Sequence, residues 1–185
     1  ARRDIDMFSV QGLNSIAKLS AGLATMAGIG GFAAVTKAAI DFESSFAGIR
    51  KTVDASEADY AKLAGQMRQL AKEIPISVNE LNRVGEAAGQ LGIKKENIIG
   101  FTEVMAKMGV ATNMSATDAA TSMARFANIT NMAQTDFDRL GSTVVKLGNN
   151  FATTEAEIMT MALRLAGAGS TAGMTQPEIL GLATA

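Results

Sequence analysis

A self-repeat constrains this chain more than any other feature of it. KMGVATNMSATDAATSMARFA, residues 107–127, returns 39 residues later as KLGNNFATTEAEIMTMALRLA, residues 146–166. Each copy reads as a helix end, a turn and a new helix start. Gly109 and Gly148 are the expected stops, since glycine tolerates the left-handed conformation that ends many helices. Ser115 with Asp118, and Thr154 with Glu157, have the spacing of a capping box on the next helix. A step of 38 residues backward lands on Ser77 and Glu80. Leu63, Met67 and Leu70 then fall on Phe101, Met105 and Met108, and these on Leu140, Val144 and Leu147.

Three copies therefore run through the chain. Their first helices are predicted near 56–73, 95–109 and 136–148, and their second helices near 78–91, 116–129 and 155–167. Thr175, Glu178 and Leu180-Gly181 match Thr135, Asp138 and Leu140-Gly141 at a shift of 40, so a fourth copy begins near the end. The expected fold is all-α: a long N-terminal helix followed by about three helical hairpins with a period near 38–39 residues. In such arrays no repeat buries its own apolar face, and neighbouring repeats supply the core. The reading divides the chain into an N-terminal helix over 1–55, a hairpin core over 56–174 and the start of a further helix over 175–185, truncated by the end of the sequence.

The first copy departs from the other two. Pro75 disfavours helix at Ile74, which sharpens the break between its helices. Its second helix carries Gly85, Gly89 and Gly92, each costing about 1 kcal/mol relative to alanine in a helix interior. A neighbour packed closely on Gly85 and Gly89 is the expected compensation.

From Ile5 to Val53 no proline interrupts the chain, and Ile16, Leu19, Leu23 and Met26 form a short heptad seam. Residues 19–36 are 18 in a row without a charge, and Ala24 and Gly28 have the small-xxx-small spacing that lets helices approach closely. A buried or self-associating seam is the first reading of this segment. Entry into a membrane is the second, although its Gly, Ser and Thr make it a poor span. A dinucleotide loop through Gly28, Gly30 and Ala33 lacks the β-strand it would need. Past Lys37, Ile40, Phe42, Phe46, Ile49 and Val53 restore an amphipathic pattern.

Cysteine and histidine are both absent, which removes thiol nucleophiles, imidazole zinc sites and Ser-His-Asp triads. No catalytic residue, metal ligand or cofactor-binding residue is assigned, and no cofactor is expected. The acidic residues of the repeat sit where a helix start favours negative charge, which is a structural role. Arg125 and Arg164 recur at one position, where a helix-face ion pair or an interaction with the helix C-terminal dipole is the simplest expectation. The net charge of −1 gives no basic face, so sequence-specific nucleic-acid binding is not expected. The 11 methionines and abundant glycine and alanine predict a soft, adaptable core.

Four stretches, DFESSFAGIRKTVDAS (41–56), LAKEIPISVNELNRVGEAAGQLGI (70–93), FTEVMAKMGVATNMSATDAATSMARFANIT (101–130) and LGNNFATTEAEIMTMALRLAGAG (147–169), resemble the core region of tail tape measure proteins of tailed phages and prophages. The resemblance spans about residues 35–185, and PISVNEL and GVATNMSA are its most specific phrases. It implies a structural and assembly protein of the virion. Such a protein lies in the lumen of the tail tube, sets tail length and leaves ahead of the DNA at infection. It implies self-association, with a trimer along the tube axis as one form, contacts with tail tube and tail tip proteins, and residence in the host cytoplasm during assembly. A helical-repeat scaffold that binds a partner protein is the alternative function.

Overall fold

A computed structural model describes residues 29–185, with side chains from residue 35 onward. The described residues form eight α-helices and no strand: α1 (Ile29–Thr52), α2 (Glu57–Glu73), α3 (Val78–Gln90), α4 (Ile98–Ala111), α5 (Ala116–Ile129), α6 (Phe137–Asn150), α7 (Glu155–Thr171) and α8 (Gln176–Leu182). The chain divides into two compact units, residues 1–44 and 45–185, with the division inside α1. In the described part of the first unit, Lys37 pairs with Asp41 one turn on, at 2.8 Å, while Val35 and Ile40 are exposed. The seam residues Ile16, Leu19, Leu23, Ala24, Met26 and Gly28 lie outside the described residues. No described helix is long and apolar enough to cross a membrane.

In the second unit the helices pair as hairpins, α2 with α3, α4 with α5 and α6 with α7. First helices stack on first helices, α2 on α4 on α6, and second helices on second helices, α3 on α5 on α7. The repeat of the sequence is thus a repeat of the structure, with two layers sharing one continuous core. Phe101, Met105, Met123, Phe126, Ile158 and Met159 are all buried in it. The central second helix, α5, has neighbours on both sides, and Ala116, Ala119, Ala120, Ala124 and Ala127 let them come close. At the end of the array α8 starts the next unit, with Ile179 and Leu180 buried against α7 and α6.

The stops between helices differ from the expectation. Gly109 and Gly148 do not end their helices in the left-handed conformation: each lies inside its helix, and the caps that follow, Thr112 and Phe151, are extended. Among the described residues the left-handed positions are Gly92 (φ 80°), Asn131 (φ 51°) and Gly173 (φ 78°), one after each second helix. At each, the next amide reaches back to close the helix: Ile93 N donates to Ala88 O, Met132 N to Ala127 O and Met174 N to Gly169 O, at 2.8–2.9 Å. This is the Schellman closure, and it needs a residue without a left-handed penalty, hence glycine or asparagine. Gly92 accordingly lies just past the helix expected to contain it.

Candidate interaction surface

The capping residues of the repeat all stand at helix starts. Ser77 Oγ accepts from Glu80 N (3.2 Å), Ser115 Oγ from Asp118 N (3.0 Å) and Thr154 Oγ1 from Glu157 N (3.3 Å). Ser115 also donates to the Asp118 carboxylate at 2.6 Å. Glu157 closes its box by accepting from Thr154 N at 2.9 Å. These bonds hold Glu157 below its ordinary pKa, and bonds from Thr175 do the same for Glu178. Carboxylates held ionised in this way favour a helix N-terminus and are poor proton donors. Among the described residues, no group of three or more carboxylates is arranged to hold a metal ion.

Gly85 and Gly89 face the last turns of α1. A Cβ on Gly85 would lie 2.8 Å from Ile49 Cδ1 and from Met67 Cε, and one on Gly89 would lie 2.8 Å from Val53 Cγ2. Residues 45–53 thereby lie directly on α3. Around the turn into α2, Arg50 makes a two-pronged ion pair with Glu57 (2.7 and 3.0 Å) and stacks 4.6 Å from the Tyr60 ring centroid. The Tyr60 hydroxyl donates to Val53 O at 2.6 Å. Ser45 enters a polar chain with α3, accepting from Asn82 Nδ2 at 2.8 Å and donating to Asn79 Oδ1 at 3.1 Å.

One edge of the array, where each hairpin hands over to the next, is laced by polar side chains that the repeat pattern did not single out. Gln134 Oε1 accepts from Lys94 N (2.9 Å) and from Asn97 Nδ2 (3.2 Å), and Gln134 Nε2 donates to Gly92 O (3.0 Å). Asn128 Nδ2 donates to Leu91 O at 3.0 Å, and Gln176 Nε2 to Thr130 O at 3.3 Å. Lys95 pairs with Asp59 at 2.9 Å. That ion pair and the bonds from Ser56 bring Asp59 down to about 2. Glutamine 134 is unremarkable in sequence, and its partners stand 37–42 residues away.

A valley runs between α4 and α6 on the first-helix layer. Toward the helix C-termini it holds a hollow of about 460 Å³, floored by Val104, Met108, Gly141 and Val145, with Lys107, Lys146 and Asp138 on its rim. Toward the N-termini a hollow of about 420 Å³ lies over Phe101 and Phe137, whose rings meet edge to face at 4.7 Å. Arg125 and Arg164 are exposed on the other layer, and neither makes an ion pair among the described residues. The helix-face pair is therefore not formed: the positions three and four residues either side, Thr121, Ser122, Asn128 and Ile129 for Arg125 and Thr160, Met161, Gly167 and Ala168 for Arg164, carry no acid.

Comparison with known proteins gives the family of this two-layer hairpin array. The profile of the family described as "Phage-related minor tail protein" matches residues 64–185, from within α2 to the end of α8. The chain belongs to this family. It is also 28% identical over 160 residues to a "Probable tape measure protein" of Halomonas phage phiHAP-1 (isolate -/Gulf of Mexico/-/2001). That alignment covers 80% of this chain and 19% of the relative, so the chain spans about a fifth of the relative's length. No solved structure matches. Its family membership gives the chain a structural role in the phage tail.

Proposed function

We propose that residues 56–174 form a folded plug or anchor module of a tail tape measure protein, seated in the tail lumen, and not part of the extended measuring shaft. The observation that carries this is the closed hairpin stack. As one helix, 39 residues advance about 58 Å. Stacked as a hairpin, the same residues advance about 8–10 Å, one interhelical distance. A segment built this way contributes little reach for its length but a compact, two-layered body. In this reading the N-terminal segment, residues 1–55, carries self-association and any contact with the host membrane, and tail tube and tail tip proteins are the partners. The whole protein sets tail length and is ejected ahead of the DNA. Buried methionines such as Met67, Met105, Met123 and Met159 would ease repacking of the module during ejection.

Tail length measured by electron microscopy tests the proposal. Phage carrying a deletion of residues 98–136, or a tandem duplication of them, should build tails within about 10 Å of normal length. A change of about 58 Å, of opposite sign in the two variants, would show the repeat to be extended shaft. A second reading, a helical-repeat scaffold for a partner helix, is favoured by the valley between α4 and α6. It predicts that Val104→Glu with Val145→Glu abolishes tail assembly while the isolated chain stays folded; normal assembly would remove it.

A further inference from the structure

The second half of α3 holds little of its own to anchor it. Beyond Val84 the helix buries only Gly85 and Ala88, no side chain larger than a methyl, and glycines at 85 and 89 weaken a helix interior. The second half of α5 buries Met123, Ala124, Phe126 and Ala127. What fills the glycine faces of α3 comes mainly from α1. A Cβ on Gly85 would lie 2.8 Å from Ile49 Cδ1 and from Met67 Cε, and one on Gly89 would lie 2.8 Å from Thr52 Cβ and Val53 Cγ2. Ile49 is fully buried there, and Phe46 and Val53 nearly so. One turn earlier the contact is polar. Asn82 is fully buried and donates to Ser45 Oγ at 2.8 Å, while its Oδ1 has no hydrogen-bond partner. An amide oxygen left unpaired in the interior works against the closed contact, since opening returns it to water. The end of α3 is also where the first hairpin is tied to the second: Leu91 O accepts from Asn128 and Gly92 O from Gln134.

We propose that residues 45–53 are a latch: α3 beyond Val84 is ordered only while they are docked, and their release frees the tie between the first two hairpins while α4–α8 stay stacked. Two turns of helix with two glycines and no large apolar side chain do not hold their shape in water by themselves. Ile49, Thr52 and Val53 supply that order by reaching the backbone where side chains are missing. The later hairpins keep anchors of their own, among them Met123, Phe126 and Met159. The latch follows from these contacts and does not depend on the proposed seat in the tail.

Amide exchange of the 185-residue chain, followed in rising urea below the unfolding transition, tests the latch. Residues 45–53 and 85–91 should share one opening free energy and one urea dependence, and should open before residues 119–127 of α5. Protection of 85–91 at the level of α5 would overturn the latch, as would an opening of 45–53 that leaves 85–91 closed. Gly89→Ala then separates the two sides, because the new Cβ meets Thr52 and Val53 yet favours the helix of α3. In that variant residues 45–53 should exchange about fivefold faster than 85–91, the worth of one such glycine in a helix interior. Segments that still open together in Gly89→Ala would overturn the coupling through the glycines.

Discussion

The array makes two kinds of turn, and they use glycine for opposite reasons. Inside a hairpin the chain leaves the first helix through an extended residue, Ile74, Thr112 or Phe151, and enters the second under a Ser or Thr cap. Glycine there serves proximity: Gly109 sits within the helix because the start of the next one lies against it. Between hairpins the chain leaves through a left-handed residue, and glycine serves conformation at Gly92 and Gly173. The lesson is that a recurring glycine marks a constraint without saying which kind. Only what stands next to it distinguishes a tight approach from a backbone twist.

Substitutions can separate the two roles. The largest effect is expected at Gly109, where an added Cβ would lie 2.8 Å from the backbone nitrogen of Ala116. That backbone cannot rotate away, so Gly109→Ala should cost about 1–3 kcal/mol in urea unfolding. At the repeat-equivalent Gly148 the nearest atoms are the carboxylate and Cγ of Glu155, from 2.5 Å, and that side chain can swing aside. Gly148→Ala should therefore be neutral, or stabilising by up to about 1 kcal/mol through helix propensity. Equal losses at both positions would break the proximity argument.

Next in size come the left-handed stops. Gly92→Ala should cost about 1–2 kcal/mol, because a Cβ is penalised at positive φ while nothing else lies within 4 Å of it. Asn131→Gly, at the same place in the second copy, should be neutral or gain a few tenths of a kcal/mol, on the order of the difference between the two residues in that conformation. A loss on Asn131→Gly would mean that the asparagine side chain, and not the backbone angle, is what the turn requires.

The lacing should be weaker. Gln134→Ala removes three hydrogen bonds at a half-buried site, for about 1 kcal/mol net, with faster amide exchange at Lys94 as its local signature. The smallest effect is the titration of Asp59. Its pKa is depressed in the fold to about 2 from 3.8, so its contribution is present above pH 3.8 and is lost as pH falls toward 2. Urea midpoints measured from pH 5 to 2 should fall less steeply in Asp59→Asn than in the parent. A parallel fall would show the Lys95 pair to be without consequence.

Much of the architecture was legible because it is written locally. Ser115 and Asp118 are three residues apart, and their hydrogen bonds form within a single turn, so spacing alone discloses a helix start. The helix limits followed to within a few residues, with α4 and α6 each running two residues past their expected ends because Gly109 and Gly148 continue the helix. The lacing was not legible. A glutamine in a linker gives no sign of bonding to Gly92, Lys94 and Asn97 until the stack brings the two linkers together. The Arg50 cluster was hidden for the same reason, since Arg50 meets Tyr60 only after the chain has turned between α1 and α2.

By itself, then, the sequence determined an all-helical chain, three copies of a helix pair, where the second helix of each pair starts, and a family resemblance that the family match places on firm ground. These depend on backbone propensity and on side chains within a turn of one another. Tertiary structure alone decided that hairpins stack layer on layer, that Gly109 marks an approach and Gly92 a twist, and that one edge of the stack is laced. Those outcomes rest on contacts between residues roughly one period apart, whose energies exist only once the hairpins have packed.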